Sequence, residues 1–227
     1  MFFPYTRPIS PAFLAAALLL VACATTDTRE SAQEQLGASE RTFSNFQNDP
    51  EMTWFRENVH KARAVVISPR VTRAGFVVGG SGGNAVVLAR DGKSGRWAGP
   101  AFYRMAAGSV GLQIGGDVSE VIMLVMTENA LDRLMSSSFK LGGDASVAAG
   151  PVGMGATGTV NADVVSFARS KGAFAGVSLE GLVISPDTGA NTTYYGQEAS
   201  PADILIRHSV SNPSSVPLQQ ALSRGAR

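Results

Sequence analysis

The chain has 227 residues, enough for one domain with a full core, and 19 lysines and arginines nearly balance 18 acids, for a net charge of +1. A near-neutral total gives no overall drive toward a polyanion, and neither a nucleic-acid partner nor a cofactor is expected. The single cysteine, Cys23, excludes an internal disulfide. Two histidines far apart in sequence, His60 and His208, leave too few ligands for a Cys/His metal site or a Cys–His nucleophile pair.

Residues 1–22 have the pattern of a secretory signal. Arg7 precedes an apolar run from Pro11 to Ala22, shorter than the about 20 apolar residues that a membrane-spanning helix needs. The run ends in Leu20-Val21-Ala22-Cys23, which resembles a bacterial lipobox. That resemblance implies cleavage before Cys23, diacylglycerol on its sulfur and acylation of the new amino terminus. Ala24 in place of an aspartate implies sorting to the outer membrane, with the protein lipid-anchored in the cell envelope and facing the periplasm. Two or three acyl chains anchor stably, at about 0.8 kcal/mol per buried CH₂.

Residues 23–48 are polar and acidic, and predict a tether followed by a weakly amphipathic helix with Ala32, Leu36, Phe43 and Phe46 near helical spacing. Asp49-Pro50 is a helix start, a capping acid followed by proline at the first helical position. The helix expected from Pro50 to Ala62 carries Met52, Phe55 and Val59 on one stripe. Such a stripe normally packs in a core; Trp54 beside it also suits a membrane-dipping face.

Strands come next. Ala64 to Ser68 is a short one stopped by Pro69, and Ala74 to Gly80 and Asn84 to Arg90 form a hairpin about Ser81-Gly82-Gly83. Arg96 to Arg104 is next, then Ser109 to Gly116 and Ser119 to Met126 about a turn at Gly116-Asp117. Thr127 caps a short helix from Glu128 to Ser136. Long strands are expected over Phe139 to Val152, Thr159 to Arg169 and Ala173 to Ser185. Ser200-Pro201-Ala202-Asp203 has capping-box spacing and starts a short helix through Arg207. From Ser211 on, two prolines and little apolar content predict a poorly ordered tail with at most one helical turn around Leu218 to Leu222. The domain assignment is thus a signal over 1–22, a tether and weak helix over 23–48, one folded domain over 49–199, and a short helix and tail over 200–227.

Of the 25 glycines, 21 lie between Gly75 and Gly181, interleaved with valine, leucine, isoleucine and phenylalanine. Glycine within apolar strands marks bulges, sharp bends or close backbone approach. The expected fold is therefore α+β and β-rich, a bent and mostly antiparallel sheet with a few short covering helices. Charge is segregated along the chain. Eight basic residues and one acid, Asp91, lie between Lys61 and Arg104; six acids and two basic residues lie between Met105 and Ala168.

Several phrases occur in the order of one family: Lys61-Ala62-Arg63-Ala64-Val65, Ala74-Gly75-Phe76-Val77-Val78-Gly79-Gly80, the run from Ala107 to Gly116, the run from Leu141 to Gly153, the run from Arg169 to Gly181, and Tyr194-Tyr195-Gly196. Together they resemble the SYLF domain from about Val59 to Gly196. The resemblance implies a mostly antiparallel β core carrying helices and binding of anionic phospholipids, which are phosphoinositides in eukaryotic members. Here the stretch before Lys61 is acidic rather than lysine-rich, and Asp91 to Pro100 is a longer loop. Phosphatidylglycerol, cardiolipin or lipid A phosphates fit an envelope protein better.

The candidate lipid-contacting residues are Lys61, Arg63, Arg70 and Arg73, which bracket one short strand, with Lys93 and Arg96 in a polar loop beside Trp97. Arginine bonds phosphate oxygens in pairs and lysine adds a point charge. The bland alternative is a solvated face paired with the acids of residues 105–168. Gly153-Met154-Gly155-Ala156-Thr157-Gly158 matches a dinucleotide-binding pattern, but the run from Thr159 to Phe167 after it has strand character and offers no helix amino terminus to a pyrophosphate. Asp144, Asp163 and Glu180 are expected to be structural, paired with Arg169 or Lys171 or facing solvent. Without a histidine in a matched phrase, a serine hydrolase lacks its base. The expected function is lipid binding, not catalysis; a structural or assembly role that docks a protein partner is the alternative.

Overall fold

The computed structural model describes residues 28–75, 78–110, 115–170, 173–176 and 179–226. The signal, the lipobox with Cys23, and Lys171 lie outside the described residues.

Helix α1 spans Arg29–Asn48. Thr28 and Ser31 form a reciprocal capping box: the Thr28 hydroxyl accepts from Ser31 N–H at 3.1 Å, and the Ser31 side chain accepts from Thr28 N–H at 3.0 Å. Ala32, Leu36, Ser39, Phe43 and Phe46 recur at helical spacing and are all buried. The segment expected to be a weak helix therefore packs as part of the core. The helix predicted from Pro50 to Ala62 is split into a 3₁₀ turn (Pro50–Met52), a short α2 (Thr53–Asn58) and a second 3₁₀ turn (Val59–Lys61). Met52, Phe55 and Val59 are fully buried and Trp54 nearly so, which makes the stripe core rather than a membrane face.

Four long strands come after these helices, β1 (Ala64–Gly75), β2 (Val78–Arg90), β3 (Trp97–Val110) and β4 (Gly115–Val125). Pro69 does not end β1. The register slips between Ile67 and Arg70 against β2 and between Ser68 and Val71 against β4, so the proline, which has no N–H to donate, sits in an irregularity. Ser81-Gly82-Gly83 is likewise mid-strand rather than a turn. A Cβ on Gly83 would meet the Arg70 carbonyl oxygen at 2.3 Å, so the irregular passage of β1 leaves no room for a side chain there. Asp117 also lies within a strand, opposite Arg73.

The long strands expected from Phe139 to Ser185 are short: β5 (Phe139–Lys140), β6 (Val147–Ala149), β7 (Val164–Ser170), β8 (Ala173–Gly176) and β9 (Val183–Pro186). Left-handed glycines interrupt them, among them Gly142 at φ 81° and Gly181 at φ 80°. The sheet order is β5-β9-β3-β2-β1-β4-β7-β6, with β8 also on β7. All pairings between these strands are antiparallel except β6–β7. β3 and β4 are consecutive in the chain yet flank the β1–β2 pair on opposite sides. The expected α+β class with a curled, mostly antiparallel sheet is what the chain forms.

Both faces of the sheet are covered, so its strands are apolar at nearly every position over their central lengths. On the inner face Ala64, Val66, Ala85, Val87, Tyr103, Met105, Val121 and Met123 pack with Leu131 and Leu134 of α3 (Glu128–Leu134), Ile204 and Leu205 of α5 (Pro201–Leu205), and Phe139, Leu141 and Leu182. On the outer face Val65, Ile67, Val86, Leu88, Phe102, Ile122, Leu124 and Phe167 pack with Phe43, Phe46, Phe55 and Tyr194. The expected Ser200–Asp203 capping box starts α5. Two helices depart from the sequence-based expectation. Helix α4 (Thr188–Tyr195) is capped by Asp187 and ended by left-handed Gly196. The expected tail is instead a 3₁₀ turn (Pro213–Ser215) leading into α6 (Val216–Gly225), whose Leu218, Ala221 and Leu222 are buried in the outer-face core.

Candidate functional site

The six basic candidates separate into two groups. Arg90 N–H donates to Arg63 C=O at 2.7 Å, and Arg63 N–H donates to Val125 C=O at 2.7 Å. These bonds fix the stretch leading into β1 beside the β2–β3 connection. One end of the sheet thereby carries exposed Lys61, Arg63, Lys93 and Arg96, with Arg90 half-buried among them. Arg90 is held from below, donating through Nη1 to His60 C=O and through Nε to Gly95 C=O at 3.3 Å.

The β2–β3 loop is a built turn. Asp91 N–H donates to Arg96 C=O, and Gly95 N–H to Asp91 C=O, each at 2.8 Å. The Asp91 carboxylate accepts from Ser94 N–H at 2.5 Å and Lys93 N–H at 3.1 Å. These hydrogen bonds, the Ser94 backbone first, hold its carboxyl below the usual range, and nearby His208 adds to the effect. Lys93 and Arg96 therefore project from a fixed loop. Lys61 donates to Asn58 Oδ1 at 2.9 Å, and Arg63 pairs with Glu128 at 3.2 Å on an exposed surface. Such a pair contributes little and is readily exchanged for another anion. Trp97, next to Arg96 in the chain, is buried.

A groove of about 640 Å³ opens beside this loop, lined by Arg96, Ser94 and His208 together with Asn212, Val216 and Gln219. His208 stands in the left-handed region at φ 54°, with Nε2 3.2 Å from Leu205 C=O.

Arg70 and Arg73 lie farther along β1 and face opposite ways. Arg70 opposes Asn84 and lines an outer groove with Glu34 and Gln35 of α1. Arg73 opposes Asp117 and lines an inner cavity with Val71 and Met105.

The acids hold structure. Among the described residues Arg169 pairs with Glu120 at 3.0 Å. Glu120 also accepts from Thr42 Oγ1 at 2.7 Å and Asn45 Nδ2 at 3.2 Å, fastening α1 to β4. Asp163 accepts from the Ser146 hydroxyl at 2.7 Å, Ser146 N–H at 3.0 Å and Thr127 Oγ1 at 2.8 Å, and these bonds lower its pKa. Asp144 accepts from Lys140 N–H at 2.7 Å. Glu180 packs against Gly142. The glycine loop over 153–158 is tied to α2 by Gly155 N–H to Thr53 Oγ1 at 3.3 Å and Trp54 Nε1–H to Gly158 C=O at 2.7 Å. The next element after this loop is strand β7, not a helix. The Arg104–Asp187 ion pair carries no sequence signal, because the two residues are far apart in the chain and meet only when β9 pairs with β3.

Residues 106–225 match the family model described as Ysc84, Las17-binding protein actin regulator. The chain is a member of the Ysc84/SYLF family. The match runs from the second half of β3 through α6, so the carboxy-terminal helix belongs to the family fold. Similar proteins include Protein YSC84 of Saccharomyces cerevisiae, 34% identical over 164 residues. LAS seventeen-binding protein 3 of the same yeast is 32% identical over 163 residues. Human SH3 domain-containing YSC84-like protein 1 is 32% identical over 164 residues. The alignments cover 69%, 69% and 70% of this chain and 35%, 35% and 47% of those proteins. The chain thus spans a third to a half of the length of these relatives. No solved structure matches it.

Proposed function

We propose that this Ysc84-family domain docks on anionic lipid headgroups, phospholipid or lipid A phosphates, through the basic end of its sheet. In this reading acylated Cys23 holds it on the outer membrane, facing the periplasm, and the domain binds rather than catalyses. The observation that carries the proposal is the Arg90–Arg63 backbone bond, which sets Lys61 and Arg63 beside the loop bearing Lys93 and Arg96. The acids nearby are engaged: Asp91 within its turn, Asp163 with Ser146 and Thr127, and Glu128 in an exposed pair. Each basic residue near an anionic surface contributes about 1 kcal/mol, and salt screens the attraction.

The test is co-sedimentation of residues 24–227, which lack the acyl anchor, with anionic and zwitterionic vesicles at low and high salt. Binding to anionic vesicles is expected to fall with salt. Changing Lys61, Arg63, Lys93 and Arg96 to glutamate should abolish it, and changing Arg70 and Arg73 should leave most of it. Equal binding to both vesicle types, or binding untouched by the fourfold change, would overturn the proposal.

A protein partner is the second reading. The family description and the name of one yeast relative both refer to binding another protein, Las17. This supports a structural or assembly role in the envelope, with lipid contact incidental. A partner retained on crosslinking, with no vesicle preference, would favour it.

A further inference from the structure

The inner face of the sheet grades from charged to apolar over a few residues. At the tip-ward row Ser81 of β2, Arg73 of β1 and Asp117 of β4 stand side by side in register. The next row inward holds Met105, Gly83, Val71, Ser119 and, across from Ser119, Ser170. Val121 and Ala168 lie one step deeper. Leu179 and Leu182, from the turn before β9, close over this floor and leave a cavity of about 250 Å³. Val71, Met105, Val121, Ala168, Leu179 and Leu182 are all buried, whereas Arg73 is exposed and Asp117, Ser119 and Ser170 are half-exposed.

An apolar well with a polar mouth suits an amphiphile with one hydrocarbon chain. The mouth also selects the head. It carries one guanidinium and one carboxylate on neighbouring strands, Arg73 opposite Asp117, and the Asp117 carboxylate already accepts from the Ser170 hydroxyl at 2.6 Å. A purely anionic head would gain Arg73 but meet Asp117 as a like charge, which costs specificity. A head with a phosphate and an ammonium a few bonds apart complements both.

We infer that this cavity is a binding site for a single-chain zwitterionic amphiphile, its chain between the Met105–Val121 floor and Leu182, its phosphate at Arg73 and its ammonium at Asp117. The site is separate from the basic end of the sheet and uses none of the residues invoked there.

Native mass spectrometry of the full chain in an uncharged detergent tests this with three probes: lysophosphatidylethanolamine, lysophosphatidylglycerol and phosphoethanolamine. The expected result is a one-to-one adduct with the first, at least ten-fold tighter than with the second, and none with the third. Ser119→Phe, which plugs the half-exposed mouth, is expected to weaken the adduct at least ten-fold without changing sedimentation with anionic vesicles. Asp117→Asn, which keeps size and shape, should erase the preference between the two lysolipids. Equal binding of both lysolipids by the unaltered protein, an adduct with phosphoethanolamine alone, or a preference that survives Asp117→Asn would each overturn the inference. Loss of anionic-vesicle binding with the lysolipid preference intact would count against the basic end and not against this cavity.

Discussion

Asn191 of α4 pairs its carboxamide with both backbone polar groups of Phe102, accepting from N–H at 2.9 Å and donating to C=O at 3.1 Å. The side chain is fully buried and takes the place of a neighbouring strand where β9 no longer covers β3. Removing it strands the buried Phe102 N–H, at a cost of about 1–3 kcal/mol, while Phe102 C=O keeps the Asp187 N–H as a donor at 2.9 Å. Asn191→Ala is therefore expected to lower the melting temperature by roughly 2–12 °C, since 1 kcal/mol shifts a domain of this size by about 2–4 °C. Thermal unfolding followed by circular dichroism checks this; a shift under about 2 °C would show that water satisfies that N–H.

Leu222 in α6 is fully buried and Leu218 nearly so, and both belong to the outer-face core with Phe43. Truncating a buried leucine costs about 2–5 kcal/mol. Leu222→Ala should lower the urea midpoint by that equivalent without changing the slope. Deleting residues 212–227 should expose the α1 surface and lower solubility. A deletion as stable and soluble as the intact chain would restore the reading of this segment as a tail.

The sequence declared the sheet more clearly than its ends. Alternation such as Ala64/Val66 against Val65/Ile67 is dense apolar patterning, and it survives because both faces are buried. Pro69 and the Ser81–Gly83 run misled for one reason: each looks like a strand end, and each is accommodated inside a long strand by the same irregularity. Helix α4 was signalled by Asp187 as a cap and Gly196 as a stop, but the interval between them lacks an apolar stripe because it buries Asn191 and Tyr194 instead. Six basic residues were visible as a cluster in sequence. That Arg70 and Arg73 face opposite sides, and only the other four share an end with Arg90, depends on register, which composition does not contain.

Asp203 caps α5, and its pKa is lowered from 3.8 to about 2, first by the Ser200 hydroxyl, then by Arg207. A depressed carboxyl contributes stability above its unfolded pKa and loses it as pH falls through the folded value. Stability should therefore fall with a slope assignable to Asp203 between about pH 4 and pH 2. Asp203→Asn should be less stable at about pH 6 and show a shallower decline over that window. Parallel curves for the two proteins would remove Asp203 as the source.

Under the proposed acylation of Cys23, only four residues separate the anchor from Thr28, where the described fold begins, and the five steps from one to the other reach at most about 18 Å. The two membrane contacts should then be separable. Cys23→Ser is expected to move the protein from the membrane to the soluble fraction, because a few exposed basic residues at about 1 kcal/mol each hold less firmly than two or three acyl chains. Changing Lys61, Arg63, Lys93 and Arg96 to glutamate with Cys23 intact should leave it in the membrane fraction. It should also increase proteolytic access to the Asp91–Arg96 loop, since that loop would no longer lie against the leaflet. Cell fractionation with limited proteolysis at matched expression reads both. Full membrane retention of Cys23→Ser would mean that a protein partner or the basic end alone holds the domain in place, and unchanged loop cleavage in the fourfold variant would place that loop away from the bilayer.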